Sequence, residues 1–166
     1  IITALCWGGN QFVAVGHGNE RIKGIILTSP DGAAWTKRES GASNDEFFGG
    51  VTWTGSQFVA VGRGVIVTSA DGENWVEQTR NDGPREERFW VPHLMAVTSG
   101  GSQFVIVGSS PNYGGFIRNS PDLAYSVNRK DEKGDVIYYA LYNVTWGGNK
   151  FVAVGDSGTI LTSSDG

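Results

Sequence analysis

The sequence contains little cysteine, histidine and proline, and each shortage excludes a class of protein. Cys6 is the one cysteine among 166 residues, so no disulfide can form within the chain and no cysteine-based zinc site can be built. The two histidines, His17 and His93, are poor material for a cysteine–histidine nucleophile pair. Five prolines without a Gly-X-Y period exclude collagen and low-complexity linkers. We expect neither a cofactor nor a bound metal.

Charged residues are also scarce, and long apolar runs are absent. Only 18% of the residues are charged, against roughly 25% in average soluble domains. Thirteen basic and 17 acidic residues give a formal net charge of −4, which argues against nucleic acid as the main partner. No apolar run approaches the ~18 residues of a membrane-spanning helix. The apolar share of 39% is still enough for a core, and the length suits one domain.

Glycine, in contrast, is abundant, and much of it lies in a fourfold repeat. The 25 glycines are about twice the number that a chain of this length would have at the average share of ~7%. Four segments align without gaps on a shared Gln/Lys-Phe-Val-x-Val-Gly core, and they cover residues 7–16, 53–62, 99–108 and 146–155. A second motif, Thr/Asn-Ser-x-Asp, follows each of them, beginning at residues 28, 68, 119 and 162. The fourfold repeat is therefore the main evidence for the fold.

Each repeat divides into four short strands, A to D, separated by Gly, Asn, Asp and Ser. A four-stranded unit recurring every ~45 residues is typical of a β-propeller blade. An all-β sandwich has similar strand spacing but gives no reason for near-identical units. We predict an all-β propeller of four-stranded antiparallel blades in one domain, residues 1–166, with the fourth blade lacking its outer strand. The predicted blades cover residues 1–40, 47–80, 94–128 and 140–166.

The missing outer strand leaves three interpretations open. The chain is a fragment of a larger propeller, or two or more copies associate to complete a ring, or four blades close alone, which we rank third. On the first two interpretations, strand C of the fourth blade, residues 159–163, pairs with another copy or with residues that the sequence lacks. The N-terminal residues 1–5 would face a neighbouring blade.

The second motif resembles the Asp-box of bacterial neuraminidase repeats, shortened by one residue. The whole unit resembles the blades of photosystem II assembly factors and of sialidase-like and xyloglucanase-like propellers, and this resemblance slightly favours a secreted or periplasmic location. We expect the aspartate to accept backbone N–H bonds in the C–D turn, the glycine to supply a positive φ, and the tryptophan to pack between blades. The third copy departs from the motif with Leu123 and Tyr125, so its turn should be distorted. The expected structural residues are Ser29, Asp31, Trp35, Ser69, Asp71, Trp75, Ser120, Asp122, Ser163 and Asp165.

Variation in loop length indicates which face binds a ligand. The A–B and C–D turns share one face and are short, whereas the B–C loops and D–A connections share the other face and vary in length. Arginine and aromatic side chains on this second face suit the recognition of a carboxylate or a sugar. Arg38 is also expected there, while Trp90 could equally anchor its connection and His93 could be an ordinary loop histidine. The candidate ligand-binding residues are His17, Arg21, Arg63, Trp90, His93 and Tyr113.

Three functions remain open, and we favour a non-catalytic propeller that binds a protein partner or a glycan on this loop face. The alternatives are a fragment of a sialidase-like glycosidase and a purely structural module of a larger protein. The resemblance implies that sialidase chemistry needs an arginine cluster, a tyrosine–glutamate pair and an aspartate, and no residue-by-residue match can be drawn.

Two further expectations concern burial. The repeated phenylalanines, Phe12, Phe58, Phe104 and Phe151, should all be buried, and Asn143, in an Asn-Val-Thr glycosylation sequon, should be buried in strand A.

Overall fold

Fifteen strands account for most of the chain that the structure describes. The computed structural model describes residues 1–18, 23–42, 47–78, 92–110, 114–121, 123, 127–128 and 139–166. The strands are β1 (Ile2–Gly8), β2 (Gln11–His17), β3 (Gly24–Ser29), β4 (Thr36–Arg38), β5 (Phe48–Trp53), β6 (Phe58–Gly62), β7 (Val65–Ser69), β8 (Val76–Glu77), β9 (His93–Gly100), β10 (Gln103–Ser110), β11 (Gly114–Ser120), β12 (Val127–Asn128), β13 (Leu141–Gly147), β14 (Lys150–Gly155) and β15 (Ile160–Ser163). A 3-10 turn, Asp156–Gly158, precedes β15. None of the described segments is a helix long and apolar enough to cross a membrane.

These strands form four antiparallel sheets in which each strand pairs with the next along the chain. The orders are β1-β2-β3-β4, β5-β6-β7-β8, β9-β10-β11-β12 and β13-β14-β15. The predicted fold class is therefore confirmed: the protein is all-β and built of propeller blades, the first three with four strands and the fourth with three in its described part. We number these sheets as the first to fourth blades.

The A–B hairpins show why the first motif has its particular residues. Trp7 pairs with Phe12 and Trp146 with Phe151 at the ends of their hairpins. The two-residue turn of the first hairpin has positive φ at both Gly9 (54°) and Asn10 (65°). Such a turn matches the right-handed twist of paired strands and favours Gly and Asn. The motif thus encodes a tight hairpin.

The repeated phenylalanines hold equivalent positions but differ in burial. Phe58 and Phe151 are buried, as expected. Phe12 and Phe104 are only partly buried, so the expectation of four buried rings is wrong for these two. Phe12 packs on Trp7, itself an exposed side chain, with ring centroids 4.6 Å apart. Its cover therefore depends on a neighbour that is open to solvent.

The chain divides into two compact units, residues 1–78 and 79–166, with two blades in each. In the first unit β1 and β2 pack against β5, around a core that includes Val13, Val15, Phe48 and Phe58. In the second unit β9 and β10 pack against β13, around a core that includes Val107, Leu141 and Phe151. In each unit, strand A of one blade therefore covers the blade before it.

The tryptophan of the first motif packs between blades, a role that the sequence predicted only for the tryptophan of the second motif. Trp53 lies on Gly8 of the preceding blade, so closely that a Cβ on that glycine would overlap the side chain. The second-motif residues Trp35 and Trp75 pack on Phe12 and Phe58 of their own blades. Trp75 is also buried in the core cluster that includes Val13 of the first blade.

Candidate binding face

A backbone contact that recurs in all four blades holds the start of each B–C loop. The last glycine of the first motif faces strand A of its own blade, and a Cβ there would overlap a carbonyl oxygen. A β-bulge of the A–B pair lies at or next to each of these contacts. Glycine is therefore required for close backbone approach. The glycine–carbonyl pairs are Gly16 with Ile1, Gly62 with Phe47, Gly108 with His93 and Gly155 with Ala140.

The residue after this glycine occupies an equivalent place in every blade. The amide of His17 donates to the Ile1 carbonyl oxygen at 2.9 Å, and the amide of Arg63 donates to that of Phe47 at 3.2 Å. Asp156 makes the same bond to Ala140 at 2.9 Å. In the third blade, Ser109 pairs with His93 across the sheet. One rigid backbone position thus carries an imidazole, a guanidinium, a hydroxyl and a carboxylate on the four blades.

In the first unit, this arrangement brings together His17, Phe47 and Arg63. The rings of His17 and Phe47 meet edge to face, with centroids 6.4 Å apart. Nδ1 of His17 lies 2.9 Å from the carbonyl oxygen of Gly18, and since a carbonyl only accepts, Nδ1 carries the proton. In the neutral ring Nε2 is then the acceptor. Gly64, with φ of 64°, closes the turn that presents Arg63.

Phe47 was missed by sequence reasoning, although a signal existed. It is an apolar residue at the end of a polar connection, directly before strand A. Such a residue both ends the connection and anchors it on the neighbouring blade. Its carbonyl holds Arg63 and its ring meets His17, so it links the two predicted residues.

In the second unit, a tyrosine and a carboxylate meet at the fourth blade. The hydroxyl of Tyr142 donates to Oδ1 of Asp156 at 2.6 Å. This hydrogen bond raises the pKa of the Tyr142 phenol, because the carboxylate stabilises the protonated form. Both side chains reach solvent, and neither was singled out from the sequence. Among the described residues, no group of three or more His, Cys, Asp and Glu could hold a metal ion.

Several predicted residues lie elsewhere or outside the described part. Arg21, Trp90, Tyr113 and Asp122 lie outside the described residues. Arg38 was expected on the loop face, and this is wrong. It lies on β4, where Nε donates to the Thr28 hydroxyl at 2.9 Å and a terminal nitrogen lies 2.6 Å from Oε1 of Glu73, in the C–D turn of the second blade. The connection was predicted to start at Lys37, whereas strand D extends to Arg38.

The C–D turns of the first and second blades are held by their aspartates. Oδ1 of Asp31 accepts the amides of Ala33 at 2.8 Å and Ala34 at 2.9 Å. Oδ1 of Asp71 accepts the amides of Glu73 and Asn74 at 2.9 and 2.8 Å, and the Ser69 hydroxyl adds a bond at 2.9 Å. These bonds stabilise the carboxylates and lower the pKa of both aspartates.

Similar serine–aspartate and tryptophan contacts complete these turns. Nε1 of Trp35 and of Trp75 donates to the carbonyl of the turn glycine, at 3.1 and 2.9 Å. In the fourth blade the Ser163 hydroxyl donates to Oδ1 of Asp165 at 2.7 Å. In the third blade Leu123 has φ of 66° and so keeps the left-handed conformation of the turn glycine, in spite of its side chain.

The sequon residue Asn143 is exposed, which corrects the expectation that it is buried. The register of β13 shifts between Leu141 and Asn143. Its Oδ1 accepts the amide of Val144 at 2.8 Å. The bulge therefore changes the alternation of buried and exposed side chains that an ideal strand A would have.

Comparison with known proteins shows the fold and not a family. No family model matches the chain, and no curated protein matches it. Solved structures do match. The computationally designed Ika4 protein has a TM-score of 0.65 and 15% identity over all of this chain and 92% of its own.

Two bacterial proteins share the fold at lower similarity. A glycosyl hydrolase from Bacteroides ovatus has a TM-score of 0.54 and 10% identity over 96% of this chain. A protein assigned as a glycosidase, from Bacteroides thetaiotaomicron, has a TM-score of 0.54 and 11% identity over 98% of this chain. The chain spans 64% and 63% of these two proteins. At such identities the likeness shows the all-β propeller fold alone.

Proposed function

We propose that the chain is a non-catalytic β-propeller scaffold, with turns of the Asp-box type, that binds a glycan on the face of its B–C loops and D–A connections. One observation carries the proposal. The same backbone contact fixes the residue after the repeated glycine in each blade, while the four side chains there are chemically different: His17, Arg63, Ser109 and Asp156. A rigid scaffold with variable side chains at its loops is how binding sites are commonly built.

A glycan suits this chemistry better than a protein partner. Sugars present many hydroxyls that both donate and accept, together with flat C–H faces that pack on aromatic rings. The face offers a phenylalanine edge beside a histidine in the first unit, and a tyrosine–aspartate pair in the second. These groups mix aromatic rings with hydrogen-bonding atoms, whereas a protein interface is centred on a desolvated apolar core.

The Asp-box assignment is supported by the turn chemistry. Serine, aspartate, glycine and tryptophan form a connected set of bonds around residues 29–35 and again around 69–75. With this role, the aspartates serve the scaffold and leave the binding to the opposite loop face.

The test is binding of a defined oligosaccharide panel (sialyllactose, cellohexaose and a xyloglucan heptasaccharide) by calorimetry. The proposal expects saturable binding of at least one sugar. Arg63→Ala should weaken a sugar bound by the first unit roughly tenfold, about 1.4 kcal/mol, and Tyr142→Phe should do the same for a sugar bound by the second unit. Lys150→Ala, an exposed residue of the fourth A–B hairpin, is the matched control and should leave binding unchanged. No binding of any sugar, or equal loss in the control, contradicts the proposal.

We propose glycoside hydrolysis as the second candidate, since the fold is shared with a glycosyl hydrolase and a phenol lies against a carboxylate in the fourth blade. The test is turnover of fluorogenic sialoside and glucoside substrates by the pure chain. Turnover that is lost in Tyr142→Phe and in Asp156→Asn, but kept in Lys150→Ala, would support hydrolysis and overturn the non-catalytic proposal. Absence of turnover beside sugar binding would support the first candidate.

A further inference from the structure

The first motif joins each pair of blades within a unit by a tryptophan and a glycine pair. In the first unit, Trp53 lies on Gly8 and Gly9 of the preceding blade. In the second unit, Trp146 lies on Gly100 in the same way. Only a residue without Cβ lets an indole approach the backbone so closely. We call the glycine pair that follows the motif's first residue the glycine socket.

One socket and one tryptophan of this kind are left open. Trp7 is 54% exposed. A Cβ on Gly147 or on Gly148, the glycine socket of the fourth blade, would meet no heavy atom of the described structure within 4 Å, apart from its immediate chain neighbours. The first blade thus carries a tryptophan without a socket, and the fourth a socket without a tryptophan.

The strand around Trp7 is also open where its counterpart is covered. Ile2 and Leu5 of β1 are more than half exposed. Their counterparts in β5 are Phe48 and Val51, which are buried because the first blade covers them. A contiguous apolar strip of this kind on a protein surface marks an interaction surface. The internal repeat shows what fits it, which is a blade of this same chain.

The sequence supports the same pairing. In the second repeat, Thr54 replaces the first glycine of the socket, and the following repeat carries Ser99 in place of the tryptophan. In the first and third repeats the glycine is present, and the following repeat has its tryptophan. Socket and tryptophan are thus kept together or lost together. Gly147 and Gly148 form a complete socket, and Trp7 is the first-motif tryptophan that remains to fill it.

We propose that Trp7 of one copy of this chain fills the Gly147–Gly148 socket of a second copy, so that copies associate head to tail. The contact joins two different surfaces and is therefore heterologous, and it closes into a dimer when each copy fills the socket of the other. The buried surface extends along β1 to Leu5 and Ile2.

Sedimentation velocity over a range of concentrations tests the association. The unmodified chain should form a dimer, and Trp7→Ser and Gly147→Leu should each weaken the dimer at least tenfold. Both variants should keep the fold, since Ser stands at the equivalent position 99 and Gly147 has an ordinary φ and open space around it. Lys37→Leu, an exposed residue of β4, controls for added apolar surface and should not weaken the dimer. A chain that stays monomeric at millimolar concentration overturns the proposal, as does a dimer that neither variant weakens.

Cysteine cross-linking identifies the occupant of the socket. In a Cys6→Ala background, Trp7→Cys and Gly147→Cys proteins are mixed and oxidised, and a disulfide-linked dimer of one copy of each supports the proposal. The Gly8→Cys, Trp53→Cys double variant is the internal control, because these positions are already close within one chain. When Trp7→Cys and Gly147→Cys are placed in one chain, a disulfide within a monomer would overturn the proposal, since the chain would then fill its own socket.

Discussion

At the scale of single residues, the repeated glycines separate into those required by geometry and those that are free. Gly62 faces the Phe47 carbonyl within its own blade, whereas Gly147 faces open space. A sequence pattern shows that both recur but does not show which neighbour each one meets. The side-chain chemistry of the turn aspartates, in contrast, is readable from the sequence, because their partners lie two or three residues away.

Replacing Gly62 with alanine should destabilise the protein, because the added Cβ would overlap the Phe47 carbonyl oxygen and move β5. We expect a loss of about 1–3 kcal/mol in the free energy of unfolding, as for other overpacked sites. Gly147→Ala is the matched control and should change stability by no more than about 0.5 kcal/mol. Urea denaturation of both variants measures the difference, and equal losses would contradict this explanation of the repeat.

The hydrogen bonds to Asp71 predict how stability depends on pH. They hold the pKa of this carboxyl below its ordinary value of 3.8, so folding favours the ionised form. A lowered pKa in the folded state contributes stability above the unfolded pKa, and that stability is lost as the pH falls through the folded pKa. The melting temperature should therefore be constant from neutral pH to about 5 and then fall in acid. Asp71→Asn should be less stable at neutral pH and show a smaller acid-induced decrease, and an identical decrease in both proteins would contradict the role of Asp71.

At the scale of strands and blades, the repeat predicts more than the periodicity of any one strand does. The four aligned motifs gave the strand order within each blade, because a recurring pattern averages over local exceptions. The bulges in strand A were not predictable, since they depend on the carbonyl that faces the repeated glycine. This is why Asn143 was wrongly expected to be buried.

The different burial of the repeated phenylalanines predicts that their replacement by alanine destabilises the protein to different extents. Phe58→Ala removes a ring with 0% exposure from the core of the first unit and should cost about 3–5 kcal/mol. Phe12→Ala should cost less, because its ring is only partly buried and its neighbour Trp7 is exposed. Thermal unfolding of the two variants compares them directly. Equal destabilisation would mean that Phe12 is covered in solution, as the head-to-tail contact of Trp7 would achieve.

At the scale of the whole molecule, the site was harder to predict than the fold. The sequence showed which loops vary, and His17 and Arg63 do lie at equivalent loop positions. It did not show that Phe47 links them or that Tyr142 meets Asp156, because both pairings join residues that are far apart in sequence through three-dimensional packing. Arg38 was misplaced for the same reason, since its partner Glu73 lies in the next blade.

The strand β15 provides the last prediction, because its environment differs from that of its counterpart β7. The strand β7 lies between β6 and β8, whereas β15 has a described neighbour, β14, on one side only. Ile160 at its start is 68% exposed. An apolar strand edge of this kind tends to pair with another strand, and β15 has no charge, proline or bulge that would prevent such pairing. We expect the amides of residues 160–163 to exchange with solvent faster than those of residues 65–69 in dilute solution, and to gain protection as the concentration rises and copies pair. Hydrogen exchange read by mass spectrometry at two concentrations measures this, and protection in β15 that matches β7 at both concentrations would show that its edge is already covered within one copy.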